Sequence, residues 1–385
     1  MNAAPFPARI REAREARMMS RDELAETAGT SRQLIYRYET GAVTPRAETL
    51  LRLGVALNVS PEFFFAEPPQ PEPYAAFLRN FVSKTSNKEI VAVERQILWI
   101  RDAVRYIEEF VVLPPLDLPD FSAPSDPREI EVAQIEAAAT ALRRHWGFGD
   151  GVIANMVKLI ESKGCIVVSG LVRSAGIDAF SVPTRSGRPL IVVDFHESQA
   201  PRRRIDIAHE LGYLILHRNV DKRFLQMNPD THRLIESQAF RFGSAFLMPE
   251  ATFRNSVPHV TLDTLLLAKP QWRQSVSSML YRAGDLRMID AKTAKRLWIN
   301  RNRRGWRGEE PFDDAITVER PQMLANALRT IRDSDDVSLQ MLCHKLGLYP
   351  ADLERYAGMD DGELSLGPIS DFRMELKENR SAIHA

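Results

Sequence analysis

The run His209-Glu210-Leu211-Gly212-Tyr213 constrains this chain more than any other stretch. On a helix of about 3.6 residues per turn, positions i and i+4 share one face and i+1 stands beside them, so two imidazoles can clasp a metal ion while a carboxylate activates its bound water. His209 and Glu210 stand where that arrangement needs them, but position 213 is tyrosine. Downstream, Glu236-Ser237-Gln238-Ala239-Phe240, ending in Leu247-Met248-Pro249, offers a carboxylate from a second helix as the third ligand. Upstream, Gly164 to Val168, Ile177 to Val182 and Pro189 to Val193 have the apolar, β-branched content of short strands, the last two separated by the turn Thr184 to Gly187. A small sheet among helices gives an α+β domain from about Asp126, with the His209 helix at its centre.

Arg204 to His217 followed by Glu236 to Pro249 resembles the ImmA/IrrE family of metallopeptidase-like domains. The resemblance implies a zincin-like fold, with His209 as first zinc ligand, Glu210 as the base acting on zinc-bound water, and Glu236 as third ligand. Tyr213 breaks that set. A phenol with a reference pKa near ~10 is a poor ligand at neutral pH. His217 lies about 12 Å along the helix axis and about 80° around from His209, too far to share an ion, and its simplest role is at the surface or as a helix cap. His232, four residues before Glu236, is the better substitute if its helix starts early enough. Two sound ligands where three are needed argue against bound zinc, so the expectation is a degenerate site kept as a packed, ligand-sensing or interaction domain.

Residues 6–67 read as five short helices. Ser20-Arg21-Asp22-Glu23 is a capping-box start, Gly29 makes a tight turn, Ser31 caps a helix from Arg32 to Glu39, and another helix follows from Ala47 to Leu57. Helix, glycine-containing turn, helix is the arrangement that sets a second helix into a major groove. This stretch resembles the XRE class of helix-turn-helix domains, the Cro and phage-repressor type. The resemblance places Ser31, Arg32, Gln33, Tyr36 and Arg37 at double-stranded operator DNA, with Tyr38 as a second flanking aromatic. Arg can read guanine, and Gln adenine, in bidentate fashion. Bulk charge does not decide the matter, since residues 1–65 hold nine Arg against eight acidic residues.

Residues 68–125 read as a linker. Four prolines fall within Pro68 to Pro73, and beyond them Ile90, Val93, Ile97, Ile100, Val104, Ile107 and Val111 recur at alternating spacings of three and four. Such a stripe suits a coiled-coil seam that pairs two chains as a homodimer, or an internal helix packed on its own domain. Leu113-Pro114-Pro115 is expected to end that helix. The peptidase-like domain then covers 126–310. The cations Arg301, Arg303, Arg304 and Arg307 around Trp306 either touch phosphate or line a solvated turn, the plainer reading. A helical module at 318–360, with a faintly helix-turn-helix-like turn at Gly347 to Pro350, precedes a loosely held tail.

Lys plus Arg and Asp plus Glu are equal at 51 each, so any contact with a polyanion must come from local pattern. Two distant cysteines, Cys165 and Cys343, and the lack of a long apolar run fit a cytoplasmic chain with no membrane partner. The fold class expected is multidomain and mainly α around an α+β peptidase-like centre. The function expected is sequence-specific DNA-binding transcriptional regulation, with a protein or small molecule as ligand of the peptidase-like pocket. The alternatives are a zinc endopeptidase that cuts a repressor and an antitoxin-type interaction protein.

Overall fold

A computed structural model describes residues 4–69, 86–171, 179–182, 187–193, 200–220, 229–334 and 338–365. It is mainly helical, with sixteen α-helices and one small sheet among the described residues. The head comprises α1 (Pro7–Ala16), α2 (Arg21–Thr27), α3 (Arg32–Glu39), α4 (Ala47–Leu57) and a 3-10 turn at Pro61–Phe65. Local chemistry fixes these boundaries. Ser20 and Glu23 form the reciprocal capping box at the start of α2, and the Ser31 hydroxyl accepts from the Leu34 amide at the start of α3. Ile10, Leu24, Ile35, Leu53, Leu57 and Phe63 close the core of the head.

The heptad helix, α5 (Asn87–Glu108), stops before Leu113-Pro114-Pro115. Its seam is spent inside the chain: Ile97 is 0% and Ile100 1% exposed, and Ile90, Val93, Val104 and Ile107 are buried with them. The opposite face is used too, since Trp99 Nε1 donates to Glu12 at 2.7 Å and Gln96 Nε2 to the Ala16 carbonyl at 2.8 Å. Of the two readings of the stripe, the one present is the internal helix packed on its own chain. Each buried Ile or Val contributes about 1.5–3 kcal/mol, and a seam already covered has nothing left to gain from a second chain.

After a 3-10 turn at Pro127–Glu129 come α6 (Val132–His145) and α7 (Met156–Ser162), then β1 (Ile166–Val168), β2 (Ala179–Val182) and β3 (Leu190–Val193). The sheet order is β1-β3-β2, with β1 parallel and β2 antiparallel to β3, pairing Val167 with Ile191 and Ser181 with Ile191. The expected turn at 184–187 lies, but for Gly187, outside the described residues. Side chains alternate across the pleat and both faces are covered. Ile166, Val168, Phe180, Val182, Leu190 and Val192 join the core shared with the head and α5, whereas Val167, Ile191 and Val193 join the core of the peptidase-like helices.

Those helices are α8 (Ala200–Leu216), α9 (Pro229–Leu247), α10 (Glu250–Ser256), α11 (Leu262–Trp272), α12 (Val276–Asp285) and α13 (Ala291–Arg303). The C-terminal module, α14 (Met323–Arg332), α15 (Leu339–Leu346) and α16 (Pro350–Ala357), packs into the first of these cores with the head, α5 and one face of the sheet. Arg17 of the head grips the buried Asp352 in bidentate fashion at 2.6 and 2.8 Å, and Ser60 N–H donates to the Gly347 carbonyl. On the other side, Ser169 after β1 donates to the Tyr356 carbonyl at 3.1 Å. The turn at Gly347 to Pro350 therefore serves a joint between head and sheet. The tail is held further than expected, because Leu364 is buried and Glu354 accepts from the Gly362 amide. Residues 366–385 lie outside the described residues.

Candidate functional site

The peptidase-like site is built where α8 and α9 cross. Two glycines permit the approach: a Cβ on Gly212 would lie 2.8 Å from the Ala239 carbonyl oxygen, and one on Gly243 2.9 Å from the His209 amide nitrogen. Ile207, Ala208, Leu211 and Ile215 anchor one side of α8 in the core, leaving His209 and Tyr213 to face α9. Because α9 begins at Pro229, His232 and Glu236 do share one face.

The crossing brings together His209, Tyr213, His232 and Glu236. His209 Nε2 stands 3.3 Å from one Glu236 oxygen, the Tyr213 hydroxyl donates to the other at 2.5 Å, and His232 Nδ1 is 3.6 Å from that second oxygen. The rings of His209 and Tyr213 meet edge to face at 5.0 Å, and Phe240 flanks His209. Burial opposes charge on Glu236, yet the bonds from His209 and Tyr213 and the nearby imidazoles outweigh it and hold the carboxyl below its usual range. Burial likewise works against protonated His209, but Glu236, Glu210 and Asp206 together hold its pKa above the ordinary histidine value. Both shifts favour an imidazolium against a carboxylate.

Glu210 sits apart from this pair, on the side of α8 toward β2. Burial pushes its carboxyl up to about 7, against the opposing pull of His209 and the Ser181 hydroxyl. Ser181, a residue the sequence pattern gave no reason to single out, lies on an edge strand of the three-stranded sheet. His217 is neither at the surface nor a cap. It is 1% exposed, shares a 3.0 Å hydrogen bond with Gln238, and burial pushes it down to about 4, so it is neutral. Gln238 in turn donates to the Pro127 carbonyl at 2.8 Å, which locks α9 to the start of the domain.

A zinc ion does not fit this donor set. Burial, then the neighbouring Glu236 and Glu210, raise the Tyr213 phenol well above its ordinary range, and its proton is committed to Glu236. His232 does not complete the set, since no three His, Cys, Asp or Glu side chains converge as metal ligands among the described residues. A cavity of about 850 Å³ lies elsewhere, between Phe65, α5, Arg188 before β3, and Lys345.

The ion pair carries a pH signature. Raised His209 contributes stability that is fully present below the unfolded value near ~6.5 and is lost as pH rises through its higher folded value. Lowered Glu236 contributes stability that is present above ~4.5 and is lost as pH falls through its folded value. The His209→Gln variant is therefore expected to cost about 1–2 kcal/mol at pH 5.5, less than a fully buried pair because Glu236 is more than one third exposed. That cost should shrink by pH 9 in denaturant titrations of both proteins. An equal cost at both pH values would show that the pair is not ionised.

In the head, α3 presents Arg32, Gln33, Tyr36 and Arg37 to solvent, while Ile35 and Tyr38 are buried. Tyr38 thus belongs to the core, and only Tyr36 flanks the polar face. Ser31 spends its hydroxyl on the helix cap. Glu39 at the end of α3 is gripped by Arg14 at 2.5 Å and Arg21 at 2.6 Å, and Arg21 also lies over the Tyr36 ring. This bracing fixes α3 against α1 and α2 and leaves its outer face unobstructed. Nothing in the spacing of the sequence marks Glu39 for that role.

No curated protein matches the chain. Two segments match known families, residues 10–64 the helix-turn-helix family and residues 161–283 the family described as the IrrE N-terminal-like domain. The chain accordingly joins a segment of the XRE helix-turn-helix type, at 10–64, to one of the IrrE/ImmA type, at 161–283.

Proposed function

We propose that this protein is a sequence-specific transcriptional regulator, in which the head at 6–67 reads operator DNA and the domain at 126–310 is a disarmed peptidase that serves as a sensing or interaction surface. The module at 318–360 couples the two. The observation that carries the reading is the Tyr213 hydroxyl bonded to Glu236 at the corner where the second histidine ligand of a zinc site would stand. In the head, Arg32, Gln33, Tyr36 and Arg37 form a continuous outward face on a capped, braced helix, which suits readout of base edges.

A partner for the disarmed site is a peptide or protein segment. Glu236 keeps more than one third of its side chain exposed beside His209, so the crossing itself is open to such a segment, whereas the β2 edge at Phe180 to Val182 is buried. Two chains reading a two-fold symmetric operator would pair through a surface other than the α5 seam. The setting is cytoplasmic, and no described helix is long and apolar enough to cross a membrane. The rival reading, a zinc endopeptidase with Glu210 as base, draws on the retained His209 and Glu236. Operator binding measured before and after exhaustive chelation separates the two. Unchanged affinity is expected, and its loss on chelation with recovery on adding zinc would refute the metal-free regulator.

A further inference from the structure

We infer that α13 carries a second contact surface for the phosphate backbone of duplex DNA, outside the helix-turn-helix head. From Ala291 to Gly308 the sequence has no acidic residue, in a chain whose charges otherwise balance. On α13, Lys292, Lys295, Arg296 and Arg303 fall within an arc of about 100° and span about 16 Å of axis, with Arg307 in the turn beyond. All five are exposed, and none forms an ion pair among the described residues. The arginines of the same segment that do find carboxylates are accounted for: Arg301 is buried against Glu310 at 3.2 Å, and Arg304 pairs with Asp263 at 2.5 Å. The plain reading of this cluster as a solvated turn thus holds for Arg304, and for Arg301 gives way to a buried structural pair.

A stripe of this length, with no ion pair along it among the described residues and only the charge of the Asp290 cap acting on Arg296, invites a polyanion. Lys292 and Arg296 stand about 6 Å apart along the axis and Arg303 about 10 Å further on, so the stripe runs past about five phosphates of one strand at ~3.4 Å of axial rise each. A membrane surface suits α13 less well, because its apolar side, with Leu297 buried and Trp298 packed on the core, is already used inside the domain. Duplex DNA is the polyanion that the head brings near, and to that extent the proposal rests on the head's role. The contact is sequence-independent, so it raises affinity and the salt dependence of binding without adding discrimination between sites.

The test compares the full chain with a variant carrying Lys292→Gln, Lys295→Gln, Arg296→Gln and Arg303→Gln, on a duplex lacking the operator. Affinity is expected to fall at least about tenfold, and the slope of log affinity against log salt to flatten by about 3–4, close to 0.9 per lost phosphate contact. The preference for operator over random duplex should stay unchanged. An unaltered slope would overturn the proposal. So would loss of binding to vesicles rich in phosphatidylserine with duplex binding intact, which would assign the stripe to a membrane. A parallel Arg32→Ala, Arg37→Ala protein keeps the two readings apart, because an effect on operator preference alone reports on the head, and an effect on the non-operator salt slope alone reports on α13.

Discussion

Alanine at both Arg32 and Arg37 is expected to abolish sequence-specific binding of the protein to its operator while leaving its fold intact. Both side chains are exposed on the outer face of α3 and neither fills the core, which Ile35 and Tyr38 close from the other side. Arg32 touches Asp22 only at 3.6 Å, between two side chains about 70% exposed, a contact of negligible worth to stability. A bidentate arginine contact to guanine is worth ~1–3 kcal/mol of discrimination, so losing two reduces the preference for operator by roughly thirtyfold to more than ten-thousandfold. Competition binding of operator and random duplex, with a thermal melt of each protein alongside, measures both quantities. Retained preference in the double variant would move DNA reading off α3.

The second large effect is expected from Tyr213→His. The change restores an imidazole one helical turn after His209, facing Glu236, in a position already lined by Val220, Ile235 and Ala239. With the third ligand present, zinc affinity should rise by roughly a thousandfold or more, given that even an outer-shell partner is worth ~10–100-fold. Tyr213→Phe is the control. It removes only the hydrogen bond to Glu236, costs about 1 kcal/mol of stability, and gains no zinc. If the histidine variant binds zinc no better than the phenylalanine one, the site has lost more than one ligand and its geometry is not that of a latent metal centre.

Much of this arrangement was legible because it depends on short-range chemistry. The Ser20 and Ser31 caps, the span of α3 and the shared face of His232 and Glu236 follow from spacing on one helix, and each stands where the spacing puts it. The ligand gap at Tyr213 was equally plain, because a helix repeats every turn. Partners across the chain were not legible. The α5 seam has the same pattern whether a second chain or the protein's own head covers it, and only the fold shows Ile97 and Ile100 packed within the chain. A tyrosine ring alternates identically on a surface face and a buried one, which is why Tyr38 was misplaced beside Tyr36. His217 shows the same limit: its partner Gln238 belongs to another helix, so its burial had no local signal.

The bonds from Arg17 to Asp352 and from Ser169 to Tyr356 join residues far apart in sequence, and they make head, sheet and C-terminal module one packed body. Under the proposed reading, an occupant of the peptidase-like site would act on the head through the sheet, whose two faces join both cores.

The central claim is that Tyr213 has replaced metal coordination with a hydrogen bond. Zinc content of the purified full-length protein, measured by atomic spectroscopy beside the His209→Ala and Glu236→Ala variants, addresses it directly. The expected result is zinc far below stoichiometric in all three proteins. Stoichiometric zinc in the unaltered protein that disappears with either substitution would contradict the account.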